Sequence, residues 1–187
     1  CGENAQKIAL LPQIEAVKEK GYEVLYFTDE VDEFAIQMLM EYDGKHFVNI
    51  CKDDLDLSTD AEKEAITKKN DDAKELLDKM KDALDGKVTA VKLTNKLGSH
   101  PVCISEEGYV SKKKKKVLNS MPGANQGVKA QLVLEINAEH PIVDKLKGAS
   151  DDDLKKYTNL LYSSARLIAG LDLENPTEFS DALADMM

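Results

Sequence analysis

Asp54, Asp56, Ser58 and Asp60 alternate through DDLDLSTDAEKE as the oxygen ligands of a calcium loop would. The pattern breaks at two places: Thr59 stands where the sharp turn needs Gly, and Ala65 where a bidentate Glu is required. The stretch therefore reads as a solvated acidic linker. His100 and Cys103 are near neighbours, but a closed zinc site takes four ligands and no second pair sits at suitable spacing. They read instead as a turn histidine before Pro101 and a buried strand cysteine. His140, before Pro141, suits a capping or turn role at a strand-to-helix junction. Cys51 or Cys103 could act as a nucleophile only beside a base, which the sequence does not place. The chain contains no P-loop, no GxSxG elbow and no HExxH pair. No motif supports an enzyme here, and no metal or cofactor site is expected within these residues.

The densest run of charge is Lys112 to Lys116, followed by Val117, Leu118 and Met121 and ended by Pro122 and Gly123. The lysines read as a solvated helix face, with an anionic partner as the alternative. The three apolar residues either pack on a sheet or form an exposed, Met-containing surface suited to loose binding of apolar segments.

These residues need elements to hold them. The chain has 187 residues, of which 42% are apolar, 5% aromatic and 32% charged, so a helix-rich, well-solvated fold is expected. Lys plus Arg number 25 against 35 Asp plus Glu, a net charge of −10 that disfavours nucleic acid and anionic membrane as partners. Three widely spaced cysteines, Cys1, Cys51 and Cys103, do not make a disulfide framework, so a reducing, cytoplasmic setting is expected. The chain opens on CGENAQKIALL rather than on Met, which suits a piece of a longer polypeptide.

Residues 1–57 are predicted to be a small α/β unit. QIEAVKEKG gives a helix ended by Gly21, YEVLYF a strand, VDEFAIQML a helix and HFVNI a short strand. Residues 58–74 read as a charged connector entering a helix. From 75 to 187 an α+β domain is expected. It has a helix with Ala73, Leu76, Leu77, Met80, Ala83 and Leu84 on one face, stopped at Gly86, then three strands at VTAVKL, PVCIS and AQLVLEI, a short helix after Pro141 and a terminal helix pair.

In that pair the first helix starts at the N-cap Ser150 with Asp151, Asp152 and Asp153 in its first turn. It carries Leu154, Tyr157, Leu160, Leu161, Ala165 and Ile168 along an apolar stripe. The second is capped by Asn175, with Pro176 and Glu178 behind it, and carries Phe179, Leu183 and Met186. So much apolar surface must be covered, either by the same chain or by a second copy in a four-helix bundle.

Four segments in order then resemble the heat-shock protein 90 chaperones, the bacterial type in particular. These are GYEVLYFTDEVDEFAIQMLMEYDGKHF, NKLGSHPVCIS, LVLEINAEHPIVDKLK and LLYSSARLIAGLDLENPTEF. The resemblance implies the end of that family's middle domain followed by its C-terminal dimerisation domain. It implies that ATP and Mg²⁺ belong to a domain upstream, that the partners are a second copy and non-native client proteins, and that the terminal helices form the intersubunit bundle. On that basis Leu154, Tyr157, Leu160, Leu161, Ala165, Ile168, Phe179, Leu183 and Met186 form the seam, with Leu161→Asp expected to split it. Val117, Leu118 and Met121 fall where relatives carry a client-touching helix. The chain ends in FSDALADMM, without the MEEVD tail that recruits tetratricopeptide co-chaperones, so that partnership is not implied. The alternative is a monomeric, nucleotide-independent polypeptide-binding module.

Overall fold

The structure, a computed structural model, describes residues 4–29, 31–51, 58–107 and 131–186. Its centre is a three-stranded sheet of β3 (Ala90–Thr94), β4 (Val102–Glu107) and β5 (Gln131–Asn137), with β5 in the middle. β5 runs parallel to β3, with Leu93 opposite Ile136, and antiparallel to β4, with Ile104 opposite Leu134. Period-two alternation gives this sheet two unlike faces. On one, Val91, Leu93, Val102, Ile104, Leu134 and Ile136 enter a single apolar core. On the other, Lys92, Glu135 and Cys103 lie side by side across all three strands.

The apolar face is covered by helices that the sequence specifies locally. α4 (Asp60–Asp72) opens with a capping box in which Thr59 Oγ1 accepts from the Glu62 amide and Glu62 accepts from the Thr59 amide at 2.7 Å. α5 (Lys74–Ala83) buries Leu77 and Met80, and Leu84 just beyond it is fully buried. The turn that follows uses Asp85 and Gly86, both at positive φ, where glycine is favoured. α6 (Ile142–Lys147) adds Val143 and Leu146. α7 (Asp151–Ile168) starts where Ser150 Oγ accepts from the Asp153 amide, and it lays Leu154, Leu161, Tyr162 and Ala165 into the core. Lys79 of α5 donates to Asp151 at 3.1 Å, and this bond raises the lysine's pKa.

α4 buries no residue of its own. It is tied to the β3 edge by Asn70, whose side chain accepts from the Leu93 amide at 2.8 Å and donates to the Leu93 carbonyl at 3.0 Å. One amide side chain thus satisfies both backbone groups of an edge residue, a device that hydrophobic patterning does not reveal.

The N-terminal part differs from the expected α/β unit. α1 (Ala5–Ala9), α2 (Pro12–Glu19) and α3 (Asp32–Leu39) are helices, whereas β1 (Glu41–Tyr42) and β2 (Lys45–His46) make only a minimal hairpin. Its turn is Asp43–Gly44, both at positive φ, which matches the twist of paired strands. YEVLYF lies in no strand, and HFVNI contributes only its first residue to one. β-rich composition becomes a strand only where a neighbour supplies the ladder, and no strand among the described residues pairs with Tyr22–Phe27. Glu15 of α2 fastens this part to the turn before β4, accepting from the Ser99 amide at 3.3 Å. No helix among the described residues is long and apolar enough to cross a membrane.

The polar row sets a stability test. Glu135 is 1% exposed, with Lys92 Nζ 3.6 Å from its Oε1 and Cys103 Sγ donating to its Oε2. Lys92→Met strands a buried carboxylate and should cost about 3 kcal/mol, whereas adding Glu135→Leu should recover most of the loss. Urea midpoints of the two variants decide it; equal losses in both would remove the ion pair from the account.

Candidate functional site

Among the described residues, His100, Cys103 and His140 each have partners of their own. His100 ends a turn, its amide bonded to the Leu97 carbonyl, and its Nε2 lies 3.9 Å from Glu15. Cys103 is 1% exposed and donates its thiol hydrogen to Glu135. His140 Nδ1 accepts from the Ile142 amide at 3.1 Å, which starts α6 as a capping residue would. His140 also lines a cleft of about 350 Å³ with Lys69, Asp72, Glu139, Asp144 and Lys147, a mixture of signs in which Lys69 is already paired with Glu139. Thr59, placed where a calcium loop needs its turn, is instead the cap of α4, and its amide holds the Glu62 carboxyl below its usual pKa. Asp54, Asp56, Cys1, Lys112 to Lys116, Val117, Leu118 and Met121 lie outside the described residues. Among the described residues no group of three or more His, Cys, Asp or Glu could hold a metal ion.

The terminal helices carry the remaining candidate surface, and the structure divides the predicted seam. Leu154, Leu161 and Ala165 face inward as core residues at 9% exposure or less, covered by their own chain. Leu161→Asp would therefore put a charge into the fold itself, so that variant does not separate the seam from the core. Tyr157 is half-buried against the same core. Of the remaining apolar residues of α7, Leu160 and Ile168 are half-buried and Leu167 is half-exposed. α8 (Pro176–Ala184) buries no residue; Phe179 is half-buried, and Leu183 and Met186 are 48% and 58% exposed.

The corner between α7 and α8 is built from polar groups. Gly170 at φ +69° makes the reversal. Arg166 Nη1 donates to Tyr162 Oη at 2.8 Å and to Glu174 Oε1 at 2.6 Å, while its Nε and Nη2 both donate to the Asp172 carbonyl. Lys87 lies 3.5 Å from the other Glu174 oxygen, and both cations stand over the Tyr162 ring. The sequence reading passed over Arg166. Its signal was a basic residue in a helix's last turn, four after a tyrosine and eight before a glutamate.

Comparison with known proteins gives the family. A family model described as "Hsp90 protein" matches residues 1–187. The chain belongs to the Hsp90 family. Chaperone protein HtpG of Clostridium acetobutylicum is 49% identical over 190 residues, and that of Shouchella clausii 49% over 189. That of Clostridium perfringens is 45% identical over 189 residues. Each alignment covers all of this chain and 30% of the relative, so the chain spans about a third of the length of the curated relatives it matches. This Hsp90-family chain is thus compared over one part of those proteins.

Two measurements follow from these placements. Cys103 should alkylate only as fast as the chain unfolds, read by peptide mass after timed labelling; native labelling at the rate of an exposed thiol would return it to the list of nucleophiles. Burial, opposed by Arg166, raises the pKa of Tyr162, so the folded state favours the neutral phenol. Its contribution is complete below the ordinary tyrosine pKa near 10 and is lost as pH rises from there through the higher folded value. Urea midpoints between about pH 9 and 11 should therefore fall more steeply for the wild-type chain than for Tyr162→Phe.

Proposed function

We propose that these residues are the C-terminal part of an HtpG-type Hsp90 chaperone and that their terminal helices join two copies in a four-helix bundle. The observation that carries this reading is the terminal helix pair: α8 has no fully buried residue, and Phe179, Leu183 and, just past its end, Met186 join Leu160, Leu167 and Ile168 of α7 as apolar side chains that their own chain does not fully cover. Covering one large apolar side chain contributes roughly 1.5–3 kcal/mol, so six from each copy can offset an association cost of about 4–15 kcal/mol. A monomeric, nucleotide-independent binding module would need α8 covered by its own chain, and the absence of any buried residue in that helix speaks against it.

The joint is mechanical. In the whole chaperone it would keep two copies of an upstream ATPase, with its ATP and Mg²⁺, at an effective concentration in the millimolar range, so that closure of one arm on the other acts on non-native clients. Val117, Leu118 and Met121 remain the proposed client contacts, and the cytoplasm the proposed location. No catalytic residue is assigned to this segment.

Phe179→Glu combined with Leu183→Glu should convert the dimer to monomer in sedimentation equilibrium while leaving the urea midpoint of the monomer nearly unchanged, because neither side chain belongs to the core. Dimers that persist in this variant would sink the assignment of that face.

A further inference from the structure

We propose that Arg166 is a positioning residue that fixes the angle between α7 and α8 and so sets the affinity of one copy of this chain for another. The inference rests on the homodimer reading above and adds a residue to it. An apolar helix is ordinarily held by the side chains it buries, and α8 has no fully buried residue, only Phe179 and Ala182 half-buried. The corner at its N-terminal end therefore carries much of its placement.

That corner converges on one guanidinium. Arg166 sits in the last turn of α7 with its side chain 16% exposed, and its donors reach both the Asp172 carbonyl and the Glu174 carboxylate. Glu174 directly precedes Asn175, whose side chain caps α8 by accepting from the Glu178 amide at 3.1 Å. An unbroken series of charge-assisted and capping bonds thus runs from the end of one helix to the start of the next. Lys87 and the Tyr162 ring extend it to the turn before β3, which ties the corner to the core. Arginine suits this place because its planar fork can serve a carbonyl and a carboxylate together, which an ammonium group cannot do in one geometry.

Releasing the corner leaves α8 attached but free to swing. If only a fraction of chains then hold the pairing-competent angle, the apparent dissociation constant rises by the inverse of that fraction. Arg166→Met keeps the aliphatic stem and removes every donor. Arg166→Lys keeps a cation for Glu174 and loses the fork to Asp172.

The test is sedimentation equilibrium of the full 187-residue chain with amide hydrogen exchange on the same samples. Arg166→Met should raise the dimer dissociation constant about tenfold or more and speed exchange along α8, with β5 amides unchanged; Arg166→Lys should fall between it and the wild type. Unchanged exchange in α8 overturns the positioning role, whatever the oligomeric state. Faster exchange in α8 with an unaltered dimer constant overturns the coupling to dimerisation. Accelerated exchange in β5 makes Arg166 a fold residue and also overturns it. A wild-type chain that stays monomeric at high concentration overturns the homodimer reading itself and removes the coupling with it.

Discussion

Burial of β5 on both faces is the constraint on which the rest of the described structure depends. A central strand in a three-stranded sheet needs cover above and below, and here Val133, Leu134, Glu135 and Ile136 are all at 1% exposure or less. The apolar side is closed by α5 and α7, which pack against each other as well as on the sheet. That arrangement commits the inner face of α7 and leaves its outer side as the place where further chain can attach. The position of α8, beyond the core and at the edge of the molecule, follows from it.

The opposite face obeys different rules. Lys92, Glu135 and Cys103 form a row in which each group depends on its neighbour, so the row tolerates paired replacement better than single loss. Such a row adds specificity of register to a sheet whose apolar face could accept other alignments, since a one-residue slip would turn the carboxylate into the hydrocarbon core. The same economy appears at Asn70, where one side chain closes a strand edge, and at Arg166, where one side chain closes a helix corner. In each case a polar group does what apolar packing cannot, because backbone carbonyls and amides near the surface need partners of their own.

Legibility varied with the range of the interaction. The starts of α7 and α8 could be read from Ser150 and Asn175, since a cap is a contact between residues three apart. The apolar run in AQLVLEI marked β5, and the spacing of Ala73, Leu76, Leu77, Met80, Ala83 and Leu84 marked the apolar side of α5. YEVLYF carried the composition of a strand without a described neighbour to pair with. Leu161 carried the spacing of an apolar stripe, and spacing alone does not say whether a sheet or a second copy covers it. Asn70 carried no pattern and Arg166 only the faint one of a basic residue in a helix's last turn, because each acts on a backbone group brought close only by the fold.

Local chemistry, then, belonged to the sequence: the caps that start α7 and α8, the glycine that stops α5, and the family that the segments compose. The tertiary structure decided which apolar residues are spent inside the chain and which remain on its surface. That division depends on how α7 rolls against β4 and α5, a choice made by the summed packing of distant side chains. Periodicity defines a stripe, and only the sheet beneath it determines which edge of the stripe is left uncovered.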